Sequence, residues 1–113
     1  MREALLAQIR ASHCGKLPED QLPAMLAVQQ RRDRRMADAL RKAPRPAMLL
    51  AGAYHVRRDL GVPLHLADLG SGEAAVLILA EVGSEVGAQE ADFVWYTPAM
   101  PEEDFCARFG QRE

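Results

Sequence analysis

Ala47-Met48-Leu49-Leu50-Ala51-Gly52-Ala53-Tyr54-His55 is an apolar run of five residues, closed by a glycine and followed by a phenol and an imidazole. A short apolar run without alternation has the pattern of a strand covered on both faces, as in a parallel sheet. Gly52 permits a sharp turn directly after it, so residues 53–55 are expected to project over the carboxyl end of that strand. In open α/β sheets, ligand sites lie beyond those ends.

Upstream, Ala43-Pro44-Arg45-Pro46 stops a helix, because proline lacks the amide hydrogen and clashes with the preceding turn. That helix starts near Pro18-Glu19-Asp20 and carries Leu22, Met25, Leu26, Met36 and Leu40 at three- and four-residue steps, so these share one stripe. Gln29 and Asp33 fall near the centre of the stripe, where apolar side chains are expected. A shorter helix over 2–12 ends near Gly15. Downstream, residues 55–60 read as a helical turn. Gly61-Val62-Pro63 breaks it, and a further helix runs through Leu69 with Pro63 at its first positions. Residues 74–82 and 92–96 read as two more strands, joined by a polar connection over 83–91. The expectation is an α/β fold, with a small, mostly parallel sheet of about three strands packed by helices.

The 113 residues are 49% hydrophobic and 27% charged, the composition of a single globular domain over 1–113. A sheet this small leaves apolar edges that dimerisation would cover. Net charge is −2, yet residues 31–58 hold nine Lys/Arg against two Asp, and the chain from Asp59 onward holds eleven acids against two Arg. Nucleic-acid binding through Arg31, Arg32, Arg34 and Arg35 is not expected: these wrap around the helix and have no interleaved aromatics. Cys14 and Cys106 form neither a CxxC nor a Cys/His ladder, which argues against structural zinc. They could pair as a disulfide in an exported protein, but spacing does not decide it. The N-terminus lacks the apolar core of a signal peptide, and no stretch reaches the length of a membrane span.

Two donor groups in the Gly52 turn can bind iron: a neutral imidazole is the commonest metal ligand, and tyrosinate is a known axial ligand of haem. The competing account is that Tyr54 packs and His55 caps a helix. Spacing alone leaves both open. Four blocks go further. Residues 50–63, with Gly52, His55, Arg57 and the Gly-Val-Pro break, resemble the strand-turn-helix signature of the ChaN-like haem-binding family. Ser12-His13-Cys14-Gly15-Lys16-Leu17-Pro18 and Gln29-Gln30-Arg31-Arg32-Asp33-Arg34-Arg35-Met36-Ala37 are similar to two further blocks of that family, in the same order. Residues 92–98 resemble its closing strand.

The resemblance implies the C-terminal half of a larger α/β fold and a haem-binding function, in haem or iron uptake or handling, without turnover. Haem is the implied cofactor and partner, and a homodimer is the expected assembly. His55 and Tyr54 are the implied metal ligands, and Arg57 a partner for propionate, since guanidinium binds carboxylates in a bidentate fashion. Gln29 and Asp33 would be polar groups facing the pocket that hold His55 or Arg57, or else members of a structural buried ion pair. Met25, Met36 and Leu40 would supply apolar walls. Tyr54 departs from the small residues the family places between its glycine and histidine. The family resembles exported, membrane-anchored lipoproteins, which implies membrane association only through an anchor outside this chain. It also lies near the Tiki/TraB metalloproteases and erythromycin esterases, so the alternative is a metal-dependent hydrolase using His55 and Asp33.

Overall fold

The computed structural model describes residues 1–72 and 74–109. Helix α1 (Arg2–Ser12) buries Leu5, Leu6 and Ile9. It ends at His13, whose Nδ1 meets the Ile9 carbonyl at 2.8 Å, so this histidine terminates the helix. A 3₁₀ turn, Glu19–Gln21, leads into α2 (Leu22–Lys42), the long central helix. Arg41 and Lys42 in its last turn suit the negative end of the helix dipole, and Ala43 leaves it in extended conformation ahead of Pro44. Next come α3 (Ala53–Val56), α4 (Val62–Asp68), strand β1 (Leu77–Glu81), strand β2 (Phe93–Thr97) and a last helix α5 (Phe105–Phe109). No helix among the described residues is long and apolar enough to cross a membrane.

Helix α2 organises the core because its stripe changes partner along its length. Leu22 and Leu26 pack with Leu5, Leu6, Ile9 and Leu60, and Met25 lies against them. About three turns later Ala37 packs with Val62 and Leu66 of α4, joined by Met36, Leu40, Leu49 and Leu69. Arg34 pairs with Asp68 across the same helix contact. A third cluster, Val76, Ile78 and Ala91 with Val56, Ala80 and Val86, lies under the sheet.

β1 and β2 pair in parallel, with Leu77 opposite Phe93 and Leu79 opposite Trp95. The α/β character and the small parallel sheet agree with the sequence reading. The count does not: among the described residues the sheet has two strands, not about three. Residues 47–51 form no strand. Leu49 packs on the α2–α4 cluster, whereas Met48 and Leu50 are 82% and 86% exposed. An apolar run becomes a strand only when a neighbouring backbone pairs with it, and among the described residues none pairs with 44–51.

A disulfide joins Cys14, in the turn after α1, to Cys106 of α5, with the Cα atoms 5.5 Å apart. The two ends of the chain are thereby tied together.

Candidate functional site

The site is built where the Gly52 turn meets the middle of α2. Gly52 is extended and precedes the single turn of α3, whose first hydrogen bond runs from the His55 N–H to the Gly52 carbonyl at 2.9 Å. This turn aims the imidazole of His55 back at α2, and its Nδ1 lies 2.5 Å from Oδ1 of Asp33. The carboxylate accepts and the ring nitrogen donates. The Asp33 side chain is only 1% exposed and that of His55 is 31% exposed, so the pair has a buried end and an open end.

Burial drives the Asp33 carboxyl above its usual range, while the hydrogen bond from His55 and the nearby His55 and His65 oppose that shift. Among the described residues its second oxygen, Oδ2, has no hydrogen-bond partner, and neither does Nε2 of Gln29, one helical turn earlier. Two of the polar residues that interrupt the α2 stripe are therefore drawn inward, one of them bonded to His55. Among the described residues, the hydrogen bond of the His55 ring is the one at Nδ1. A Cβ on Gly52 would lie 3.7 Å from Cδ2 of that ring, an ordinary van der Waals contact, so the turn passes close beside the imidazole.

Tyr54 is half-exposed, and the Arg57 guanidinium lies 5.5 Å from its ring centroid, within cation–π range. Arg57 is otherwise engaged: it donates to Asp59 at 2.9 and 2.7 Å in a bidentate pair. Its third nitrogen meets Glu90 at 2.9 Å. The Asp59 hydrogen bond raises the Arg57 pKa, and the same bond holds the Asp59 carboxyl below its ordinary range. Arg58 pairs with Asp92, which also accepts the Val76 N–H at 2.7 Å, so the Asp92 carboxyl is lowered first by that backbone bond and then by Arg58. These two arginines fasten the turn to the sheet.

Of the residues singled out from sequence, Asp33 and His55 come together, Gln29 lies a turn from Asp33, and Tyr54 stands beside Arg57. Met36 and Leu40 pack into the α2–α4 cluster, and Met25 packs with α1. Asp92 and Glu90, which anchor the turn, were not singled out, since carboxylates in a polar connection carry no pattern of their own. Gly61 is a further structural requirement, and the Gly-Val-Pro break was its only signal.

A cleft of about 790 Å³ lies beside the site, lined by residues including Leu40, Met48, Leu50, Val56, Leu66 and Leu79. Neither His55 nor Tyr54 lines it. Among the described residues no three His, Cys, Asp or Glu side chains gather as a metal cluster. The donor set is thus one buried carboxylate, one oriented imidazole and one half-exposed phenol. Such a set could supply a donor to a metal that brings a ligand frame of its own, and has too few donors to hold a bare ion.

The comparisons agree in direction. A family model described as haem-binding uptake, Tiki superfamily, ChaN, matches residues 1–66. A solved structure described as cofacial heme binding to ChaN of Campylobacter jejuni is similar at 33% identity and a TM-score of 0.69, over 82% of this chain and 37% of that one. The chain therefore spans little more than a third of the length of that relative. A search of curated proteins found no match. With more than half its length covered by the family model, the chain belongs to the ChaN family of haem-binding uptake proteins in the Tiki superfamily.

Proposed function

We propose that this chain binds haem at the Gly52–His55 turn, with Nε2 of His55 as the iron ligand and Tyr54 as a second donor beside it. The observation that carries this reading is the division of the imidazole: Nδ1 is committed to Asp33 at 2.5 Å, and among the described residues the opposite edge holds no hydrogen bond. Metal-bound histidines usually donate their other nitrogen to an oxygen in this way. Bound haem supplies an iron that takes axial nitrogen or phenolate ligands. The residues of the chain do the rest: Asp33 orients the ring, and Arg57 steadies Tyr54. A propionate reaching Arg57 would share it with Asp59 and Glu90.

The role is binding in haem or iron uptake or handling, without turnover, and the 113 residues act as one domain equivalent to the C-terminal half of the family fold. His55 and Tyr54 do not line the cleft of about 790 Å³, so a haem held by them would draw further cover from outside it. A homodimer would supply that cover. The uncovered sheet face supports this, since Leu77, Leu79, Phe93 and Trp95 share one side of β1 and β2 and are all exposed. The Cys14–Cys106 disulfide supports an oxidising, exported location.

Absorbance titration with haemin tests the function. A Soret band forms with the wild-type chain and weakens in His55→Ala and Tyr54→Phe; unchanged titrations in both variants contradict the ligand assignment.

A further inference from the structure

We propose that the cleft between residues 47–51 and strand β1 is a docking slot for one extended apolar strand, flanked by acidic residues, of a partner polypeptide. The slot is separate from the Gly52–His55 turn, since neither Tyr54 nor His55 lines it.

One wall is the run that failed to become a strand. Met48 and Leu50 line the cleft and are exposed, yet among the described residues no backbone N–H or C=O from 44 to 51 is hydrogen-bonded to another part of the backbone. Strand β1 supplies the opposite wall through Leu77 and Leu79. The sheet order is β1-β2, so among the described residues β1 has a neighbour along one edge and none along the other. No described residue of β2 lines the cleft, which sets it beside the free edge of β1 and not over the sheet face. Val62 and Leu66 of α4, both buried, also line it. A free strand edge, an unpaired apolar run and an apolar helix face are the surroundings of a covered strand in a parallel sheet.

Size, hydrogen bonding and charge each narrow the occupant. Five residues of strand fill a slab about 17 Å long, about 4.8 Å across in the hydrogen-bonding direction and about 10 Å between packed layers, roughly 800 Å³. The cleft is about 790 Å³. An acyl chain of that volume would bury the amides of 47–51 without partners, whereas an added strand pairs with them. Arg41 and Arg45 both line the cleft; Arg41 is held by Asp38, and Arg45 has no ion pair among the described residues. A carboxylate flanking the apolar core of the incoming strand meets that guanidinium. A second copy fits less well. The unpaired apolar run that it offers is 47–51 itself, which follows Pro44-Arg45-Pro46, a basic flank whose two prolines have no N–H to donate.

The probe is a synthetic nine-residue peptide, Val-Ile-Val-Ile-Val with two glutamates at each end, added to the ¹⁵N-labelled 113-residue chain while amide hydrogen exchange is followed residue by residue. Exchange of the 47–51 amides is expected to slow by about tenfold or more, saturably with peptide. The same peptide with proline at its centre is expected to leave exchange unchanged. In Arg45→Glu, affinity for the acidic peptide is expected to fall roughly fivefold. Exchange indifferent to the peptide at millimolar concentration overturns the proposal, as does equal slowing by the proline peptide. Palmitate that displaces the peptide assigns the cleft to a lipid and overturns it. Slow exchange in the peptide-free chain that becomes slower with protein concentration assigns the cleft to a second copy and overturns it as well. An affinity unchanged in Arg45→Glu overturns the acidic flank. None of these readouts involves haem, so haem binding stands or falls separately.

Discussion

Gly61 lies so close to His55 that a Cβ at position 61 would fall 2.0 Å from the His55 carbonyl oxygen and 3.0 Å from that of Tyr54. The backbone of the glycine is the surface on which the Tyr54–His55 turn rests. Its amide also donates to the Arg57 carbonyl at 2.9 Å, which closes the turn from the other side. Gly61→Ala must push two backbone segments apart. It is expected to cost about 3 kcal/mol, measured by denaturant unfolding, and to loosen His55 from Asp33. A loss below about 0.5 kcal/mol, the size of an ordinary surface change, would contradict this packing.

Asp33 and Asp59 are expected to respond oppositely to acid. The folded-state pKa of Asp33 is raised, so the native protein binds its proton more readily than the unfolded chain and this carboxylate opposes folding at neutral pH. That penalty is relieved as pH falls from neutral through its raised value toward about 3.9. Asp59 is lowered by Arg57, so its contribution is present above the unfolded value and is lost as pH falls through its depressed one. Stability measured against pH for wild type and Asp33→Asn should converge or cross in favour of wild type on mild acidification. A difference between the two that does not vary from pH 7 to pH 4, the window spanned by a raised carboxyl, would count against a raised Asp33.

The Cys14–Cys106 bond closes a loop with a sequence separation of 92 residues. On the chain-entropy account, loops of about 100 residues are stabilised by roughly 4–5 kcal/mol. Thiol titration of the native protein should find no free cysteine, and reduction or Cys106→Ser should lower the unfolding midpoint. Free thiols in protein purified under oxidising conditions would remove the bond and the case for an exported location that rests on it.

Leu79 and Trp95 are each 66% exposed and stand opposite one another on one face of the sheet. Parallel sheets are ordinarily covered on both faces. If a second copy covers this one, Leu79→Lys should shift the chain from dimer to monomer in light scattering, with an unchanged circular dichroism spectrum. A monomeric wild type at tens of micromolar would contradict that use of the face.

The helices were legible in the sequence because periodicity and proline are local signals. The α2 stripe, its stop before Pro44, and the start of α4 at Gly61-Val62-Pro63 all appear where the pattern placed them. The inward turn of Asp33 was legible for the same reason: a polar residue in the centre of an apolar stripe has to find a partner. The partner itself was one of two open accounts, since His55 lies 22 residues away and only the tertiary fold brings them together. Residues 47–51 failed as a strand because strand formation is a property of pairs of segments, and the run carries no information about its neighbour. Arg57 shows the same limit. A lone arginine after a histidine reads equally well as an anion partner or as a clamp, and Glu90, 33 positions on, was invisible to local pattern.

The central claim is that His55, held by Asp33, is the haem ligand, and haemin titration at the Soret band, with molar mass followed by light scattering, tests it most directly. The wild type should give a saturable Soret band, His55→Ala should weaken it, and the mass should report two chains per assembly in the haem-loaded form. A wild-type chain that gives no saturable band, or a His55→Ala variant that titrates like the wild type, would contradict the account.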